Sequence, residues 1–247
     1  MTHSTASAAI DSWLVSGLGQ ALLQAESELM SEALDDVFGW ELLQLGIWGR
    51  SDRLLAGCRT RRRAVIADGR VDAPEADIAA RLSQLPISNA SVDAVVLPHT
   101  LEFETDPYAV VREADRVLAG EGHLIVLGFR PFSLWGFRSR AISRGYPPGL
   151  KRMLGAGRIA DWLELLGYDV SLTRNYLFTP PWGGSAPRPG VPSSLLRRGW
   201  IKPWPAGAYL IKARKRVYTL TPIRPKVRER AQGIGGLVKP TSSRHSS

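Results

Sequence analysis

Cysteine is almost absent from this chain: Cys58 is the only one among 247 residues, so no internal disulfide can form and the fold must rest on a buried core. One unpaired thiol agrees with a reducing compartment, and the apolar neighbours of Cys58 assign it to packing rather than to nucleophilic chemistry. No run of eighteen apolar residues exists, which excludes a membrane-spanning helix. The N-terminus also lacks the basic and apolar stretches of a signal peptide, so a cytoplasmic location is expected. Acids are scarce in the last fifth of the chain. From Arg197 to Ser247 thirteen Lys or Arg face the single acid Glu229, 13 − 1 = +12, which leaves +9 − 12 = −3 for the remainder. The body is thus an ordinary, slightly acidic globular protein long enough for one large α/β domain, and the basicity belongs to its tail.

What is present is clearest over residues 85–129. Val92 to Leu97 is a short apolar, β-branched run carrying one acid, the pattern of a strand buried on both faces. Asp106-Pro107 then predicts a helix start, with Asp106 as N-cap and Pro107 at the first helical position. Tyr108, Val111, Ala114, Asp115 and Leu118 follow at helical spacing, and Glu121-Gly122 turns the chain into a strand from His123 to Leu127. Two such strands joined by a helix form a right-handed crossover in a parallel sheet. Upstream, an amphipathic helix is expected from about Ala8 to Asp36, broken at Gly17-Leu18-Gly19, and strands at Trp40–Gly46 and Arg61–Asp68. Only thirteen residues separate Asp68 from Arg81, Pro74 among them, so the helix between the second and third strands must be short or missing. Downstream, Gly128 to Arg138 is too rich in glycine and aromatics for regular structure. A helix over Gly157–Gly167, a strand over Tyr168–Phe178 and a last strand over Ala206–Lys215 complete the pattern.

Leu-Pro-Ile, Val-Asp-Ala-Val-Val, His-Thr-Leu-Glu, Asp-Pro, Arg-Glu-Ala-Asp-Arg-Val-Leu and Gly-x-Leu-Ile-Val occur in that order between Leu85 and Val126. In this the chain resembles the methyltransferase type 11 domain of class I S-adenosylmethionine-dependent methyltransferases. The resemblance implies a Rossmann-like α/β fold, a mostly parallel seven-stranded sheet with an antiparallel last strand and helices on both faces. It also implies S-adenosyl-L-methionine as cofactor and a methyl acceptor, expected to be a small molecule. Carried onto this chain, the cofactor-binding positions are Gly46 and Gly49 in the turn after the first strand, Asp68 for the ribose hydroxyls and Leu82 against the adenine. The pattern is incomplete. Of the family's acid and alternating glycines, Gln44 replaces the acid, Gly46 is in register, Trp48 replaces the second glycine, and Gly49 is displaced by one. Arg81 stands where the family has an acid for the adenine amino group, and a guanidinium cannot accept that hydrogen bond.

On the acceptor side, His99 follows the fourth strand and is the candidate catalytic base, with Glu102 and Glu104 expected to be solvated or to orient it, and Asp93 expected to be structural. The aromatic segment Phe129–Phe137 would wall an acceptor pocket whose arginines meet an acidic group. No metal site is expected. The expected organisation is an N-terminal helical cap over residues 1–37, a methyltransferase-like domain over 38–217 and a basic disordered tail over 218–247. The alternative is a catalytically inactive methyltransferase-fold scaffold or binding module, RNA-associated through a basic tail in which Trp200, Trp204 and Tyr218 are interspersed.

Overall fold

A computed structural model describes residues 9–68, 75–142, 145–182 and 205–217. The proline- and glycine-rich passage 183–204 and the basic tail, with Trp200, Trp204 and Tyr218, lie outside the described residues. Seven strands form one sheet in the order β3-β2-β1-β4-β5-β7-β6. They are β1 (Phe38–Leu45), β2 (Arg59–Ala67), β3 (Ile78–Ala79), β4 (Val92–Pro98), β5 (Leu118–Phe129), β6 (Tyr168–Tyr176) and β7 (Ala208–Lys215). β1 pairs in parallel with β2 and β4, and β4 with β5, while β7 runs antiparallel between β5 and β6. This is the mostly parallel sheet with a reversed last strand that the sequence implies.

Two helices flank one face of the sheet. α4 (Pro107–Val117) starts where the sequence places it: the Asp106 carboxylate accepts from Ala109 N at 3.1 Å, and Pro107 occupies the first turn, where a missing N–H costs nothing. Its Val110, Val111 and Ala114 pack with Ile159 and Leu163 of α6 (Ala156–Leu165) against Leu43, Leu45, Val95 and Leu97 of the strands. Gly167, at φ +85, then turns the chain into β6.

The other face is covered differently. After β1 the chain makes only a single helical turn, α2 (Ser51–Leu54), before β2 begins. The covering is supplied by the N-terminal α1 (Gly17–Leu34), whose Leu22, Met30, Ala33 and Leu34 pack on Leu42, Ala94, Val96, Ile125 and Leu127. α1 therefore shares the sheet's own core. Residues 9–14 are helical as well. The expected break falls at Val15-Ser16 rather than within Gly17–Gly19, because Ser16 caps α1 by accepting from Gly19 N. Beyond the helix end, the buried Lys212 ammonium on β7 pairs with the Asp36 carboxylate.

Two further expectations about the elements change. Gly128–Arg138 is not irregular throughout: α5 (Leu134–Ala141) begins there, capped by Ser133, whose hydroxyl accepts from Gly136 N at 3.1 Å. Position 136 in this helix has no room for a side chain, since a Cβ would lie 2.1 Å from the Pro131 carbonyl oxygen. β5 starts five residues earlier than expected, through a register shift in its pairing with β4 that Glu121 accommodates at φ +65. Asp93 is structural as expected, accepting from the backbone N–H groups of Trp40 and Glu41.

Candidate active site

The C-terminal ends of β1, β2, β4 and β5 converge on one edge of the sheet, where open α/β folds take their ligands. β1 ends in Gly46, whose φ of +88 suits glycine and whose N–H donates to Ile66 O at 2.8 Å. A Cβ there would sit 2.8 Å from Thr100 Oγ1, and that hydroxyl itself donates to Leu45 O. The turn after β1 is thus tied to the turn after β4. Beside it, Gln44 is fully buried; its amide nitrogen donates to Gly46 O, and its Oε1 lacks a partner among the described residues. A buried acceptor left unpaired costs about 1–3 kcal/mol, which marks this spot as one that a further donor would stabilise.

Asp68 directly follows β2 and is half-buried, next to the Gly46 turn through the pairing of Leu45 with Ile66. Leu82, expected against an adenine, is 5 % exposed and packs among Leu43, Leu45 and Ile66. Gly49, at φ +55, faces α1, and a Cβ there would meet the Leu23 side chain. It serves the close approach of α1 to the loop.

The centre of this edge holds a dry polar cluster. His99 follows β4 in the left-handed region, at φ +55, directly before the single-turn α3 (Thr100–Phe103), and is wholly buried. Its Nδ1 lies 2.9 Å from Glu102 Oε2, and its Nε2 lies 2.8 Å from Glu26 Oε1, a carboxylate that α1 brings in from the opposite layer. Glu26 also accepts from Trp48 Nε1 at 2.6 Å and from the Tyr176 hydroxyl at 2.9 Å. Glu102 accepts in addition from Phe129 N. The imidazole is sandwiched between the rings of Trp48 and Phe129, at centroid distances of 4.3 and 4.2 Å.

The electrostatics follow from burial and from these partners. Desolvation alone would lower the His99 pKa, but the Glu26 and Glu102 carboxylates outweigh it and raise it to about 9. Both ring nitrogens then donate, and the imidazolium is the form present at neutral pH. Burial pushes the Glu102 carboxyl up, opposed by His99 and the Phe129 N–H, and it pushes the Tyr176 phenol well up as well. His99, the expected base, is placed with no exposed surface and with a carboxylate against each ring nitrogen. Glu102, expected to be solvated or to orient His99, is 1 % exposed and holds the His99 Nδ1.

The residues on the nucleoside side fit an S-adenosyl group: a glycine turn without room for a side chain, an orphaned acceptor at Gln44 and a carboxylate after β2. Trp48 lies in the same turn, two residues beyond Gly46. Its indole, 1 % exposed, stands where the family has its second glycine and is held under α1 by Glu26. Sequence reasoning missed Glu26 and Tyr176. A signal for Glu26 existed, since it sits midway between Leu22 and Met30 at four-residue spacing, an acid inside an apolar stripe.

The fold and the site edge together define a class I methyltransferase-type domain, and comparison with known proteins agrees. Residues 51–126 match the family model described as "Methyltransferase domain". The uncharacterised protein YafS of Escherichia coli is 31 % identical over 85 % of this chain and 83 % of its own length. An uncharacterised Mycobacterium tuberculosis protein is 30 % identical over 70 % of this chain, which spans 62 % of that protein. Among solved structures, a SAM-dependent methyltransferase from Archaeoglobus fulgidus superposes with a TM-score of 0.55 at 15 % identity, over 78 % of this chain and 93 % of that one. The chain belongs to the class I S-adenosylmethionine-dependent methyltransferase family, in its methyltransferase type 11 branch.

Proposed function

We propose that this protein transfers a methyl group from S-adenosyl-L-methionine to a small-molecule acceptor, and that its cofactor site is partly closed by Trp48 and α1. The observation that carries the reading is the pairing of the side-chain-free Gly46 turn with the orphaned Gln44 Oε1, set beside Asp68 at the ends of adjacent strands. Gly46 admits a ligand's close approach, Gln44 offers an acceptor and Asp68 accepts from ribose hydroxyls. Leu82 backs the adenine side, and Gly49 lets α1 close over the loop. When bound, the cofactor supplies an electrophilic methyl on sulfur, whose bond breaks with the electron pair remaining on sulfur. The protein's task is then chiefly positioning and exclusion of water. The His99 cluster serves it as a floor that ties the ends of β4 and β5 to the middle of α1.

A second reading is favoured by one observation. Trp48, at the family's second glycine position, is buried and bonded to Glu26, as it would be in a scaffold that no longer turns over. Equilibrium dialysis with tritiated S-adenosylmethionine separates the two. Retention that falls about 10- to 100-fold in Asp68→Ala and is lost in Gly46→Val supports the enzyme. No retention at saturating ligand leaves the scaffold.

A further inference from the structure

A cleft of about 480 Å³ opens beside this site, between α5 and the loop over residues 145–153. Its volume lies within the roughly 300–1,000 Å³ of small-molecule sites. Pro131, Leu150 and Met153 give it apolar walls, and Arg140, Lys151 and Arg152 line it with charge. Among the described residues no carboxylate lines it. Among the described residues none of these three cations forms an ion pair: the Lys151 ammonium and the Arg152 guanidinium reach only the Thr105 hydroxyl and carbonyl, and Arg140 lies over the Phe132 ring. The arginines expected for this role are engaged elsewhere. Arg130 donates to Asn175, and Arg138 donates to Pro181 O and stacks on Tyr146.

The cleft is joined to the buried cluster through its own wall. Lys151 N and Arg152 N donate to Glu102 O at 3.1 and 3.2 Å, so the cationic loop is clamped to the residue that orients His99. Leu150 extends from the same loop into the core beside Trp48 and Phe129. Three unpaired cations over an apolar floor select a ligand with an oxyanion at one end and an apolar body.

We propose that this cleft is the binding site for the methyl acceptor, and that the acceptor is a small organic acid, a carboxylate or phosphate, carrying an apolar body. The acceptor role rests on the methyltransferase reading above; the ligand chemistry rests on the cleft alone. Calorimetric titration of the full-length protein with 1-naphthoate, 1-naphthyl phosphate and the neutral 1-naphthamide tests it. The two anions should bind at least about tenfold more tightly than the amide, and the tighter of them identifies the oxyanion. That preference should disappear in R140Q/K151Q/R152Q. All three substitutions fall on exposed side chains, and an unchanged melting temperature checks that the variant folds. Equal binding of acid and amide, or an anion preference that survives in the variant, overturns the proposal. Cofactor retention measured in parallel keeps the two readings apart: anion binding without retention preserves the cleft's ligand class and removes its role as acceptor site.

Discussion

Glu26 on α1 and His99 at the end of β4 lie 2.8 Å apart with no solvent at either side chain, and together they join the N-terminal helix to the sheet at the edge where the fold places its ligands. Removing one member of a buried ion pair strands the other, at a cost of about 3–5 kcal/mol. Glu26→Ala should lose stability on that scale in denaturant unfolding. Glu26→Gln, which keeps an acceptor but not the charge, should lose less. Loss below about 1 kcal/mol in Glu26→Ala would mean that the pair contributes little.

The same cluster sets a pH dependence. The folded-state pKa of His99, about 9, is above its ordinary 6.5, so the folded protein binds this proton more tightly than the unfolded chain does. The contribution is complete below pH 6.5 and is lost as pH rises through 9. Its size is roughly 3 kcal/mol, from about 1.4 kcal/mol per pKa unit. Urea unfolding between pH 6 and pH 10 should show stability falling across that window. In His99→Gln the fall should be flattened. A wild-type profile that is level, or that rises toward pH 10, contradicts the assignment.

Under the proposed function, Trp48 sets stability against cofactor access. Trp48→Gly restores the glycine that the family carries and removes an indole packed against His99 and Phe129. It should lower stability by about 3–5 kcal/mol, the usual cost of a large aromatic deletion. If a closed state reduces the apparent affinity in proportion to its population, the same variant should bind S-adenosylhomocysteine more tightly, by about tenfold when one molecule in ten is open in the wild type. Calorimetry and thermal melting on one preparation read both effects. Destabilisation without any gain in affinity would assign Trp48 to packing alone.

Ser133 shows how local chemistry overrides composition. Its cap holds the first turn of α5, one wall of the basic cleft, and Ser133→Ala should cost about 1 kcal/mol in denaturant unfolding with the sheet unaffected. An unchanged midpoint would show that α5 is held by Trp135 packing instead.

Much of the sheet was legible because its cause is local. Val92–Leu97 is β-branched and apolar, Asp106-Pro107 caps and starts α4, and Gly167 stops α6. α5 was not, because its glycine, required by the close approach of the Pro131 carbonyl, reads in the sequence as a helix breaker. The site divided in the same way. Gly46 and Asp68 follow from strand ends and spacing, whereas the burial of His99 depends on a carboxylate 73 positions away in the chain and on a tyrosine 77 positions away. Register along one strand carries no information about such partners.

The most direct test of the central claim is calorimetric titration of the wild-type protein with S-adenosylhomocysteine, repeated on Asp68→Ala. The account expects one site per chain, with an affinity weakened about 10- to 100-fold when the Asp68 carboxylate is removed. No heat and no thermal shift at saturating ligand, or binding that is indifferent to Asp68, would contradict it.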